Sequence, residues 1–270
     1  MAWLRTVLLA LTVMVPASAL AGETTAGDRT LRITNGEWPP YLGRDEPGYG
    51  IASRIVTRAF ERAGYQVEYE FHPWARSLYL ARRGQRDGTA VWMPSRERRE
   101  DFFISRPVIV TEYVFFHRAD MPFEWETTAD LADYRIGLTR GYDYGDVMEQ
   151  VTTLGIATTE TVSSDELNFH KLLAGRIDLF PMDRVVGQRM IRDHFSEEEA
   201  RALTWHPEPV RKDRLHLLLS REVEGNAGRI KDFDQALRAM RREGGIEKIL
   251  VDALGNHVPA VDRLTPAQAD

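Results

Sequence analysis

Hydrophobic and polar positions change period repeatedly along this chain. Leu31–Asn35 alternates and predicts a first strand. Gly50–Ala63 places Ile51, Ile55, Val56, Ala59, Phe60 and Ala63 on one face of a helix. Gln66–Phe71 alternates again, and Pro73–Arg83 is a helix with Gly84 as its stop. Thr89–Met93 is a buried strand. This β-α-β-α-β order with short connections predicts an α/β layer built on a largely parallel sheet. Val108–His117, β-branched and aromatic throughout, predicts a strand leaving one lobe for another.

A second series follows. Leu131–Tyr134 closes a short helix, Arg135–Leu138 is a strand, and a helix covers Asp146–Thr152. Thr158–Val162 is a strand, and Ser163-Ser164-Asp165-Glu166 predicts a capping box for a helix to Leu173. Leu179–Met182 is a strand, with helices over Arg184–His194 and Ser196–Leu203 and a short strand at Thr204–His206. Leu215–Ser220 alternates and is placed to carry the chain back. Ala227–Glu243 and Ile246–Leu254 are the last helices, split by Gly244-Gly245. The two series echo each other. Gly84-x-x-Asp87 precedes one strand and Gly175-x-x-Asp178 another, and both strands run into polar residues. In parallel sheets ligands collect outside the carboxyl ends of the strands, where these residues fall.

The stretch Gly88–Ser105 concentrates the chemistry. Pro94 ends its strand because it has no N–H to donate, and Ser95 is a helix N-cap ahead of Arg96, Arg98 and Arg99. An arginine held beside a hydroxyl is a fork for a carboxylate. The competing reading is a solvated Arg/Glu turn. Arg98 is the candidate anchor and Ser95 its hydroxyl neighbour. Asp183, after the matching strand of the second half, is placed to accept from an amine; as the residue before Arg184 it is equally a helix N-cap. Trp38, Tyr41 and Trp74 are candidates for an aromatic wall, against core packing for Trp74, while Trp92 is read as core. Arg76 is a second candidate cation or a helix-surface arginine. Gly141–Asp146, with Tyr142 and Tyr144, presents backbone N–H groups at a helix start.

Composition narrows the setting. Residues 1–21 have the form of a secretory signal peptide: Arg5, then apolar Val7–Val15, then Ala19-Leu20-Ala21 before Gly22, with Ala17-Ser18-Ala19 as a second cleavage candidate. Cleavage would leave 249 residues of the 270, with 34 basic side chains against 41 acidic ones, a net of −7. That balance argues against a nucleic-acid partner. The chain has no cysteine, so it forms no disulfide and carries no lipid on a cysteine, which fits a bacterial periplasm. No nucleophile elbow or phosphate-binding loop is present, and the seven histidines lack ligand spacing, so neither cofactor nor metal is expected.

These residues resemble the periplasmic solute-binding proteins of family 3, the amino-acid-binding components of ABC importers. The resemblance spans about Leu31 to Leu254. Trp38-Pro39-Pro40-Tyr41 looks like the family's aromatic-proline loop, and Gly50 with its helix like its first helix. Ser95-Arg96-Glu97-Arg98 with Phe103-Ile104-Ser105 looks like its Thr-x-x-Arg…Phe-Ser segment, whose arginine grips the ligand α-carboxylate. Asp130-Leu131 through Ile136-Gly137 resembles the start of the second lobe. Gly175-Arg176-Ile177-Asp178…Asp183 resembles the segment whose last aspartate binds the α-amine.

The resemblance implies two α/β lobes joined by a two-strand hinge, the type II binding-protein fold. The chain would cross near Thr111–Phe116 and return near Arg211–Leu217. Lobe I would span 28–112 and 213–257 and lobe II 113–212, with 258–270 a loose tail. It also implies a periplasmic monomer that hands a small ligand to a membrane permease and catalyses nothing. Two alternatives remain open. One is an enzyme on the same scaffold, like the periplasmic cyclohexadienyl dehydratases, with Glu37 or Asp183 as its acid. The other is a sensory module for a membrane receptor. Val91, Met93, Trp74-x-Arg76 and Gly141-Tyr142-Asp143-Tyr144 depart from the family pattern and mark a divergent subgroup.

Overall fold

The computed structural model describes residues 29–255. The expected signal peptide and the tail at 258–270 lie outside them. Three strands and two helices open the chain: β1 (Thr30–Asn35), α1 (Ile51–Arg62), β2 (Gln66–Phe71), α2 (Trp74–Arg82) and β3 (Gly88–Trp92). A short helix α3 (Arg96–Asp101) leads into β4 (Phe102–Arg118). The second series is β5 (Arg135–Thr139), α4 (Asp146–Thr153), β6 (Thr158–Val162), α5 (Asp165–Leu173), β7 (Phe180–Asp183), α6 (Arg184–His194), α7 (Glu197–Arg201) and β8 (Leu203–Trp205). The chain ends with β9 (Arg211–Ser220), α8 (Asn226–Arg242) and α9 (Gly245–Leu254).

One sheet runs in the order β2-β1-β3-β9-β4-β7, with β8 also on β4; β5 and β6 pair separately. Pairing is parallel at β1–β2, β1–β3 and β5–β6 and antiparallel wherever β4 or β9 takes part. Leu179 bridges to Ile136, tying β5 to the start of β7. The strand expected at Val108–His117 is part of one longer, 17-residue strand that starts at Phe102, with its register shifted on either side of Pro107. β4 and β9 pair from Phe102↔Ser220 to Tyr113↔Arg211. This pair joins the two α/β series. β9 also starts four residues earlier than its apolar alternation indicated, because Arg211-Lys212-Asp213-Arg214 is strand without an apolar pattern.

Packing explains most of the helices. α1 has no side-chain cap at Gly50. Its hold comes from Ile55, Val56 and Phe60, all fully buried, with Phe60 4.8 Å from Phe233 of α8. Burial of about 1.5–3 kcal/mol per such side chain outweighs the ~1 kcal/mol of a missing cap. Gly50 has φ +96°, and a Cβ there would lie 2.5 Å from the Tyr41 carbonyl oxygen. The close approach lets Ala52 N–H donate to that oxygen at 2.9 Å, so the aromatic loop docks on the start of α1.

The sequence echo is structural. The Asp87 carboxylate accepts from Arg32 N–H of β1 at 2.8 Å, and the Asp178 carboxylate accepts from Arg135 N–H of β5 at 2.9 Å. In both halves a helix ends, a glycine at φ +66° or +63° turns the chain, and an aspartate ties off the neighbouring strand. The capping box expected at Ser163–Glu166 does not form. Ser164 is the N-cap residue without a side-chain bond, so the third helical position is Leu167, which has no acid to complete a box; Asp165 accepts from Thr139 and Tyr142. The boxes that do form pair Thr127 with Asp130 and Ser196 with Glu199. No helix among the described residues is long and apolar enough to cross a membrane.

Candidate functional site

The site is built on a row across the joining strands. Tyr113 of β4 is opposite Asp183 of β7 on one side and Arg211 of β9 on the other. Laterally opposed residues share a face, so an acid, a phenol and a guanidinium leave the sheet together. The next row carries Glu112 to the other face, where it pairs with Arg184 at 2.8 Å and Lys212 at 3.3 Å. Those cations satisfy a buried carboxylate behind the site.

Asp183 is 1% exposed and caps α6, accepting from Val186 N–H at 2.9 Å. Tyr41 donates its hydroxyl to the same oxygen at 3.4 Å. Trp38 lies 4.7 Å from the Tyr41 ring, held by a tight loop in which Tyr41 and Leu42 both donate to the Trp38 carbonyl. So the aromatic loop of the first series meets the helix start of the second. Burial raises the Tyr113 hydroxyl well above the usual phenol range, and the Asp183 charge adds to it.

The β3 end supplies the second part. Ser95 accepts from Arg98 N–H at 3.2 Å and so caps α3 as expected. The Arg98 guanidinium lies 4.8 Å over the Trp92 ring and donates to the Met93 carbonyl at 2.6 Å. Burial pulls Arg98 below its ordinary range, and Glu97 only partly opposes this. Arg96 and Arg99 are exposed. Trp92, read from sequence as core, is half-buried because its indole N–H returns to Thr89 at 3.0 Å and its face is left for Arg98. Trp74 stands edge-on to Trp92 at 5.2 Å. Arg76 is exposed on α2, roughly 200° around the helix from Trp74, and does not join this group.

The second series contributes a pinned loop. Thr139 and Tyr142 hydroxyls donate to the two oxygens of buried Asp165 at 2.6 and 2.9 Å, and Tyr144 accepts from Thr139 N–H at 2.7 Å. Burial raises both tyrosines above the phenol range, with Asp165 adding for Tyr142. The Tyr144 ring is 6.2 Å from Tyr113 and 6.0 Å from Tyr142. Asp143 accepts from Gly145 N–H at 2.8 Å, so the loop occupies part of its own N–H array.

Arg211 and Tyr113 are the residues sequence reasoning missed. Arg211 reaches across the site: Nε donates to Asp213 at 2.8 Å, Nη1 to the Asp143 carbonyl at 2.8 Å, and Nη2 contacts the Met93 sulfur at 2.8 Å. Burial acts to lower Arg211, but Asp213 and Asp143 outweigh it and hold it above its ordinary range. The one available signal was a charged run at the expected return crossing. Glu37 is exposed and receives Arg44 N–H at 3.2 Å, closing its own loop.

Two α/β series joined by a long antiparallel strand pair, with polar groups gathered between them, can be compared with solved structures. The second substrate-binding domain of GlnP from Lactococcus lactis, in an open conformation, superposes with a TM-score of 0.67 at 16% identity, over 83% of this chain and 94% of that one. The unliganded L-cystine solute receptor of Neisseria gonorrhoeae gives 0.66 at 17%, over 87% and 97%. This is the two-lobed periplasmic-binding-protein fold. The same binding-protein fold appears in a histidine kinase sensor domain, at a TM-score of 0.59 and 22% identity over 84% of this chain and 98% of that one. No protein-family model matches the sequence, and no curated protein does. β4 and β9 join the two α/β series, and the Asp183–Tyr113–Arg211 row runs across β7, β4 and β9 at that junction.

Proposed function

We propose that this chain is an exported solute-binding protein that captures a small polar ligand, an amino acid or related carboxylate, between its lobes. The lobes are 28–112 with 213–257, and 113–212. Ligand closes them about β4 and β9, and a membrane permease of an ABC importer reads the closed form. The chain acts as a monomer in the periplasm and performs no chemistry on its ligand.

One observation carries this reading. The half-buried Arg98 guanidinium touches a carbonyl and an indole face but no carboxylate among the described residues. A buried cation in a cleft without its anion is matched by a ligand that brings one. Asp183, in the row across β7, β4 and β9, supplies the complementary acid for an amine, and Trp38 and Tyr41 supply the apolar wall.

A thermal-shift screen over amino acids, opines, polyamines and organic acids tests it. A carboxylate ligand raises the melting temperature by mass action; a shift from polyamines alone, with none from any carboxylate, overturns it. Incubation with prephenate and arogenate checks for turnover, which is not expected. The sensor-domain neighbour favours a second reading, in which the loaded form addresses a receptor kinase. Neighbouring genes for a permease and ATPase, rather than a kinase, decide for import.

A further inference from the structure

Two guanidinium groups converge on one residue, Met93: one on its backbone carbonyl, the other on its side-chain sulfur. Arg98 Nη1 donates to the Met93 carbonyl at 2.6 Å, and Arg211 Nη2 contacts the Met93 sulfur at 2.8 Å. Arg98 stands on the short helix α3 that follows β3, and Arg211 on the strand β9 that joins the lobes. They therefore reach one residue from different elements, Arg98 at its backbone and Arg211 at the tip of its side chain.

Each presents N–H groups without a carboxylate. Arg98 has no acidic side chain in contact among the described residues. Arg211 spends Nε on Asp213 and Nη1 on Asp143, through the carbonyl at 2.8 Å and the carboxylate at 3.2 Å. That leaves Nη2 on a thioether, one of the weakest acceptors a protein offers. Met93 is half-buried and unbranched, with three rotatable bonds, so it can swing aside for a better acceptor. A carboxylate oxygen is that acceptor, since charge-assisted bonds are roughly twice as strong as neutral ones.

Resting on the reading above, we infer that the cleft takes a ligand with two acid groups, one held by Arg98 and the other by Arg211 in place of the Met93 sulfur. Asp183 lies one strand beyond Tyr113 in the same row and takes an amine where the ligand carries one. The ligand chemistry is thus a small dicarboxylate, free or as an acidic amino acid.

Titration calorimetry on the purified chain tests this with L-glutamate, L-aspartate, glutarate and succinate against L-glutamine and L-asparagine. The diacids bind about tenfold or more tightly than the amides, as one additional charge-assisted bond requires. Glutamate against glutarate tells whether the amine is read. Arg211→Gln brings glutamate and glutamine within about twofold of each other, whereas Arg98→Gln weakens both. Met93→Leu keeps the volume and removes the sulfur that competes for Nη2, so glutamate is favoured over glutamine at least as strongly as in the unmutated chain; a lost preference overturns the exchange of acceptors. Glutamine binding as tightly as glutamate in the unmutated chain, with binding still dependent on Arg98, overturns this inference and leaves the proposed function standing. Absence of binding by every carboxylate overturns both. Should Arg211→Gln fail to fold, the comparison in the unmutated chain and Met93→Leu still decide.

Discussion

The Tyr41 hydroxyl lies 3.4 Å from Oδ1 of Asp183, although 142 residues separate them. The contact joins the aromatic loop of one lobe to the capping residue of a helix in the other. It also gives Asp183 two roles, since the same oxygen accepts from Val186 N–H. The cap is worth about 1 kcal/mol. Asp183→Asn keeps an oxygen for the cap and removes the charge. Calorimetry should show amino acids weakened more than their deaminated analogues, with the melting temperature nearly unchanged. Equal losses for both ligand types would count against an amine-binding role.

Arg98→Ala should abolish carboxylate binding while leaving the fold intact. Loss of a charge-paired guanidinium in a closed cleft costs about 3–5 kcal/mol. Its contacts inside the protein are one carbonyl and one ring face, so the melting temperature should fall little. Unchanged affinity in calorimetry would remove Arg98 from the site.

Gly36→Ala should disturb the aromatic wall without touching the ligand's polar anchors. A Cβ at Gly36 would lie 2.3 Å from the Trp74 indole. Trp74 must move off Trp92, at a cost of about 1–3 kcal/mol for overpacking. A lowered melting temperature with altered tryptophan fluorescence is expected; an unchanged spectrum would show that the indole does not rest there.

Acid stability should depend on Asp178. The Arg135 side chain holds its carboxyl below the usual range of 3.8; burial opposes this, and Arg135 N–H adds to it. A carboxyl depressed in the folded state stabilises fully above its unfolded value, and that stability is lost as pH falls through the folded value. Asp178→Asn should therefore flatten the acid limb of a urea-midpoint profile taken from neutral pH to about pH 2. A limb as steep as before would place the acid sensitivity elsewhere.

Much of this chain was legible because the relevant interactions are local. Helix faces repeat over a few residues, so α1 follows from periodicity. Ser95 and Asp183 bond N–H groups three residues ahead, which makes both caps readable from sequence. The Gly-x-x-Asp echo was visible for the same reason, and the structure supplied its cause: each aspartate ties off a strand. The failed capping box at Ser163–Glu166 marks the limit of such reasoning. The helix is capped one residue later than the local pattern offered, at Ser164, and Thr139 and Tyr142 hold the Asp165 carboxylate.

By itself, then, the sequence determined the order of elements, most helix ends to within a residue, and the arginine on the short helix after β3. Only the tertiary structure set Asp183, Tyr113 and Arg211 in one row. Strand register couples residues far apart in the chain, through which faces become buried together, and no short pattern encodes that. Arg211 sits in a charged run with no apolar alternation, so its place opposite Tyr113 came from pairing with β4 alone. The same pairing brought a second guanidinium to Met93, and with it a preference for two acid groups that Arg98 alone does not imply.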